Sequence, residues 1–191
     1  MKKTLISIAL VLGLVCITNV SHAQNGRFSV GAEVGLPIGN FADATSLGVG
    51  GTLRYEYPVN DNLALMLTAG YLTFSGKTVG GFDLGSWGMI PAQVGAKYYF
   101  TEMMNGLYGA IHLGIHSLSY KTPKFTYIDP FTGTSVTLGG ETFTSTDFSY
   151  APEIGYHLAN IDIGARYQMI STTGSTTSYL GVRVAYVFGE K

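Results

Sequence analysis

Apolar and polar positions alternate with a period of two in eight stretches of this chain. That period belongs to strands, because successive side chains point to opposite faces. The stretches run Arg27–Gly39, Leu47–Tyr57, Leu63–Phe74, Met89–Phe100, Leu107–Tyr120, Phe148–Leu158, Ile161–Ile170 and Tyr179–Phe188. One parity is apolar throughout: Phe28, Val30, Ala32, Val34, Leu36 and Ile38 in the first, Ile90, Ala92, Val94, Ala96, Tyr98 and Phe100 in the fourth, and Leu180, Val182, Val184, Tyr186 and Phe188 in the last. The other parity is small or polar, as in Ser29, Gly31, Glu33 and Gly35 or Gly181, Arg183 and Ala185. Each stretch suffices for a tilted membrane crossing, which takes about 9–11 residues.

Alternation alone also fits a soluble sandwich or a lipocalin-like barrel, and the charges separate the readings. The mid-strand charges are Glu33, Arg54, Glu56, Lys97, Glu153, Asp162, Arg166 and Arg183. All lie on the small-residue parity and none on the apolar one. They are four acids against four bases, and a closed lumen needs that balance because a buried unpaired charge is very costly. A solvated face has no such requirement. Glycine and alanine on the same parity suit the crowded interior of a small barrel. The fold expected is all-β: an eight-stranded antiparallel up-and-down transmembrane β-barrel.

Connections alternate in length. Pro58–Asn62, Thr101–Gly106 and Ala159–Asn160 are short, whereas Asn40–Ser46, Ser75–Gly88, Lys121–Asp147 and Ser171–Ser178 are longer and rich in Gly, Ser, Thr and Asp. Outer-membrane barrels have short periplasmic turns and long extracellular loops, so both mature termini are expected in the periplasm. Aromatics on the apolar parity fit that orientation. Phe28, Tyr55, Tyr57, Tyr98, Phe100, Tyr156, Tyr186 and Phe188 would form a periplasmic girdle, and Tyr71, Phe148, Tyr150 and Tyr167 the opposite rim. Pro37, Pro91 and Pro152 interrupt strand-like stretches and map near extracellular strand ends, where a lost ladder bond is tolerable.

Composition agrees. Only 12% of residues are charged, with 13% aromatic and 26 glycines, against about a quarter charged in a soluble domain. No apolar run of about 18 residues follows the N-terminal segment, so no membrane helix is expected. That segment has the layout of a secretory signal: Lys2 and Lys3, an apolar core from Leu5 to Val15, and Ser21-His22-Ala23 with small residues at the positions a signal peptidase reads. Cleavage is expected after Ala23, leaving residues 24–191 as the barrel domain in the bacterial outer membrane. Val15 precedes Cys16 where a lipoprotein signal would carry a small residue, so no lipidation is expected, and the mature chain would hold no cysteine. Loss of Lys2 and Lys3 leaves nine basic and twelve acidic residues. With no basic arm, nucleic acid is not an expected partner.

Met89 to Phe100, MIPAQVGAKYYF, resembles a segment of the outer-membrane β-barrel domain family of Bacteroidota, sometimes labelled PorT-like. Tyr179 to Phe188 resembles the terminal strand signal read by the barrel-assembly machinery, with Glu190 and Lys191 as a short departure beyond it. The architecture is also similar to OmpX- and OmpA-type barrels. These resemblances imply outer-membrane lipid and, during biogenesis, the barrel-assembly machinery as partners, and a PorT-like role in secretion or transport as an alternative function.

Eight strands leave a lumen that side chains fill, which disfavours a diffusion porin. His112, His116 and His157 share the inward parity with Glu153 and Asp162. A metal or acid–base site is conceivable there, but polar filling of the lumen is the preferred reading, with no metal or cofactor. An enzyme of the lipid A-modifying kind is disfavoured: His116 and Ser117 are adjacent and face opposite ways, and Gln24–Arg27 leaves no room for an amphipathic helix. Gly48-Val49-Gly50-Gly51 lacks the spacing of a phosphate loop. The connection 121–147 is the best functional candidate. Phe125/Tyr127 and Thr134–Leu138 alternate and could extend strands five and six as a hairpin above the membrane, whose edges could meet a protein partner; the alternative is a loop packed over the barrel mouth. The expected function is a structural or interaction barrel presenting extracellular loops.

Overall fold

The structure, a computed structural model, describes residues 26–80, 82–101, 104–128, 131, 134–172 and 174–189. The signal segment and its expected cleavage after Ala23 lie outside them. Eight strands close a barrel: β1 (Arg27–Ile38), β2 (Thr45–Pro58), β3 (Leu63–Gly76), β4 (Ser86–Tyr99), β5 (Gly106–Lys121), β6 (Thr142–Leu158), β7 (Ile161–Thr172) and β8 (Ser175–Phe188). Each pairs antiparallel with its neighbours in sequence, and β8 closes on β1. A one-turn helix, α1 (Asn40–Ala44), joins β1 to β2. Both described termini lie at one end, the turn end, where the connections 59–62, 100–105 and 159–160 are short. The opposite end is the loop end.

The register sets the width of the barrel. Starting at Phe28 and following paired residues round the wall gives Tyr55, Leu67, Val94, Leu113, Tyr150, Met169 and Ser178, then β1 again at Ile38. One circuit therefore climbs from residue 28 to residue 38. For eight strands, that stagger implies a tilt of about 40° and a backbone radius of about 8 Å. Inward side chains from opposite walls meet across such a space.

Strand ends depart from the sequence reading at the loop end. β6 begins at Thr142 instead of Phe148, and β7 and β8 reach Thr172 and Ser175. The expected long join 171–178 is thus mostly ladder, with only 173 and 174 between the strands. Threonine is β-branched and suits a strand whether or not lipid lies beside it, so polarity was a poor guide to where pairing stops. The longer start of β6 also puts Pro152 well inside its strand. Partner pairs are missing beside the prolines that interrupt the ladder: the β6–β7 register passes from Tyr150↔Met169 to Glu153↔Arg166, and the β3–β4 register from Ala69↔Ala92 to Leu72↔Met89. Proline offers no N–H to the ladder. Beyond β5, Lys124–Ile128 and Ser135–Gly139 form a separate two-stranded hairpin, so the alternation in that connection pairs within itself and does not continue β5 and β6, which end and begin at Lys121 and Thr142.

The outer wall is apolar and exposed at Val30, Val34, Leu67, Val94, Ile111, Ile163 and Val182. Inside, glycines face bulky residues. A Cβ on Gly155 would lie 2.3 Å from the Tyr108 ring, and one on Gly48 2.4 Å from Phe74. Two kinds of substitution should therefore fail differently. Val94→Lys and Val182→Lys should each cost about 2–4 kcal/mol through exposure of charge to lipid. Gly155→Val should fail by collision with Tyr108. Urea unfolding in lipid vesicles, read by heat-shifted migration on detergent gels, checks both, and wild-type stability of either lysine variant would contradict a lipid-facing outer wall.

Candidate functional site

Inward parity brings the eight mid-strand charges together. Glu33, Arg54, Glu56, Lys97, Glu153, Asp162, Arg166 and Arg183 are all buried in the lumen. Arg54 on β2 donates from both terminal nitrogens to the Glu153 carboxylate on β6, each at 2.9 Å across the barrel. A guanidinium and a carboxylate match in this forked geometry, which gives direction as well as attraction. Lys97 Nζ lies 2.9 Å from Glu56 and 2.5 Å from Asp162. Arg183 donates to Asp162 at 3.3 Å, to Thr52 at 2.7 Å and to Ser29 at 2.9 Å. Arg166 Nη2 stands 2.7 Å from Glu33. Asp162 on β7 is the hub, meeting cations from β2, β4 and β8.

Two tyrosines that alternation placed inward, but that charge counting missed, complete this network. Tyr99 donates to Glu56 at 3.1 Å, and Tyr108 reaches Glu153 at 3.0 Å and Asp162 at 3.1 Å. The Lys97 ammonium also lies over the Tyr108 ring, 3.8 Å from its centroid. Their signal was present in the inward parity of β4 and β5, but a neutral phenol carries no charge to mark it as part of an ion network. The girdle residues Tyr57, Tyr98, Phe100, Tyr156, Tyr186 and Phe188 do point outward and are exposed, and Phe28 and Tyr55 are half-buried.

The histidines do not form one cluster. His112 Nε2 meets Glu153 at 2.9 Å, His157 lies 3.6 Å from Asp162, and His116 Nδ1 pairs with Ser149 at 2.8 Å. His116 and Ser149 share a neutral middle layer with Gln93 and Gln168, the two amides meeting at 3.3 Å.

Above that layer, the structure corrects the expectation of a small or polar lumen. Phe41, Leu72, Phe74, Met89, Ile170 and Tyr179 form a buried apolar cluster at the loop end. α1 supplies its lid. Gly39 turns the chain at φ 62°, and the Thr45 hydroxyl donates to the Phe41 carbonyl at 2.6 Å, so that the Phe41 ring packs 5.1 Å from Phe74. Leucine, methionine and phenylalanine on the inward parity of β3 and β4 were the available signal. The lumen thus passes from ionic at the turn end, through a polar middle that holds the Arg166–Glu33 pair, to apolar at the loop end, where the Tyr179 hydroxyl accepts from Arg166 at 3.3 Å.

The sequence profile of the family described as "Outer membrane protein beta-barrel domain" matches residues 7–188. This chain belongs to that family. Its fold is that of a small outer-membrane barrel, and the apolar outer wall is its lipid-facing surface. Among solved structures, it is similar to Ail of Yersinia pestis, crystallised with the heparin analogue sucrose octasulfate, at 15% identity over 85% of this chain and 97% of that one, with a TM-score of 0.59. The N-terminal β-barrel domain of Pseudomonas aeruginosa OprF is similar at 14% identity over 86% and 98%, with a TM-score of 0.54. At these identities the likeness is one of fold. No curated protein matches the chain in sequence.

For this family member, the crossed Arg54–Glu153 pair supplies a direct test. Glu153→Met should destabilise the barrel by about 3–5 kcal/mol, because the Arg54 charge is left buried without its partner. Arg54→Met with Glu153→Met should recover much of that loss. Urea titrations of the four members of the cycle in lipid vesicles measure it, and strict additivity would show that the two residues do not act as a pair.

Proposed function

We propose that this protein is an exported barrel whose filled lumen anchors a surface-presenting loop end, a structural or interaction protein with no pore and no catalytic role. The observation that carries the reading is the ion network: Arg54–Glu153 and Lys97–Asp162 cross the lumen between non-adjacent strands, and Arg183 joins Asp162 on the neighbouring strand to the same network. Each of the three lumen histidines, His112, His116 and His157, lies beside a buried carboxylate or hydroxyl, which supports a structural role for it. Cleavage after Ala23 delivers the chain to the periplasm, the turn end and both mature termini stay there, and the loop end faces outward. Short turns at one end and strands prolonged past the apolar band at the other support this orientation.

The hairpin 124–139 is the presented element. Ile128, Phe131 and Leu138 are exposed, Phe131 almost completely at 97%. A two-stranded sheet offers edges that an extended partner segment can lengthen, which suits protein recognition. Two measurements test the reading. Purified protein in planar bilayers should give no stable conductance steps, and porin-like steps would refute the filled lumen. A photocrosslinker at Thr137 on intact cells should capture a surface partner. A stable adduct with secretion machinery would instead favour the secretion reading, and altered acylation of lipid A in a deletion strain would favour an enzyme.

A further inference from the structure

At the loop end, the apolar cluster does not finish flush with the barrel mouth; it forms the floor of an open vestibule of about 300 Å3. One wall is an aromatic ladder across three adjacent strands. Trp87 on β4 is opposite Tyr120 on β5, and Tyr120 is opposite Phe143 on β6. The Trp87 and Tyr120 rings lie 4.6 Å apart at 36°, and Phe41 meets Trp87 edge-on at 6.1 Å. Phe143, at the top, is 57% exposed. Facing this wall are the hydroxyl-bearing Thr172 and Thr177 of β7 and β8.

None of the described residues lining the vestibule carries a charge. The nearest acid on β6, Asp147, lies outside the lining and accepts the Ser145 hydroxyl at 2.7 Å. A carboxylate entering here would find no lining cation, and an ammonium group would find no lining anion. Burying either without a partner is costly. Thr172 donates to the Ser175 carbonyl at 3.0 Å but keeps its acceptor lone pairs. The volume falls at the lower end of the range of small-ligand pockets, about 300–1,000 Å3, which are mainly apolar with a few orienting polar groups.

We infer that this vestibule binds a small uncharged ring compound carrying a hydroxyl, its apolar face against the Trp87–Tyr120–Phe143 wall and its hydroxyl toward Thr172 and Thr177. The site goes beyond the anchoring role and does not depend on it. Met89 and Phe41 floor it with buried apolar side chains, so the ligand is held at the mouth and not passed into the charged lumen.

Trp87 is the only tryptophan in the chain, so its emission reports the vestibule directly. Full-length barrel in lipid vesicles is titrated with cyclohexylmethanol, cyclohexanecarboxylate and cyclohexylmethylammonium, none of which absorbs with indole. The alcohol should shift Trp87 emission saturably, and both ions should bind at least about tenfold more weakly, a difference of about 1.4 kcal/mol. Thr177→Phe, which fills the cavity, should abolish the shift, and Phe143→Ser at the exposed rim should weaken it while migrating on gels as a folded barrel. A linear response equal in all three proteins would mean partition into lipid alone and would overturn the site. So would equal or tighter binding of either ion. A shift that follows protein concentration without added alcohol would mean that a second copy occupies the mouth, and would overturn the small-ligand assignment.

Discussion

The closed lumen constrains everything else in this protein. A radius of about 8 Å leaves no room for bulk water between opposite walls once side chains are in place, so every inward charge must find its counter-charge inside the barrel. Four carboxylates and four cations do so, through pairs that cross the lumen and one between neighbouring strands, with Asp162 gathering cations from three strands. Such pairs stabilise modestly against a well-packed apolar core, but each is expensive to break singly. They therefore act mainly on specificity: a strand shifted by one residue would turn its charges to lipid and its valines inward.

Position along the axis decides the rest. At the turn end, Tyr99 and Tyr108 supply hydroxyls to the carboxylates and a ring face to Lys97, so aromatic bulk and polarity serve the same space. Gly155 and Gly164 make room for Tyr108, as Gly35 and Gly48 do for Phe74. Small residues on one strand and large ones on its neighbours are how so narrow an interior fills without collision. At the loop end, the apolar cluster under Phe41 separates the ionic layer from the aromatic vestibule.

Much of this was legible in residue order. Period-two alternation located all eight strands, and the parity of Glu33, Arg54, Asp162 and Arg183 placed the charges on one face. Pairing was not legible: that Arg54 reaches Glu153, 99 residues away, follows from the stagger of the ladder, which no local pattern encodes. The outer limits of β6, β7 and β8 were hidden because Thr and Ser are common to loops and to strands above a bilayer. The apolar cap was hidden for a related reason. Leu72, Phe74 and Met89 sit on the polar parity, and alternation reads them as exceptions until the lid at Phe41 gives them a common neighbour.

The central claim is a lumen packed shut by its own side chains, and the accessibility of inward positions to water tests it most directly. Thr68 and Ser149 are fully buried, on β3 and β6, and Ser149→Cys is close to isosteric. Each cysteine variant, folded in lipid vesicles, is exposed to a small water-soluble methanethiosulfonate reagent. The account predicts no labelling until the barrel is unfolded, then complete labelling. Rapid labelling of either cysteine in the folded barrel would contradict it and require a continuous aqueous path through the protein.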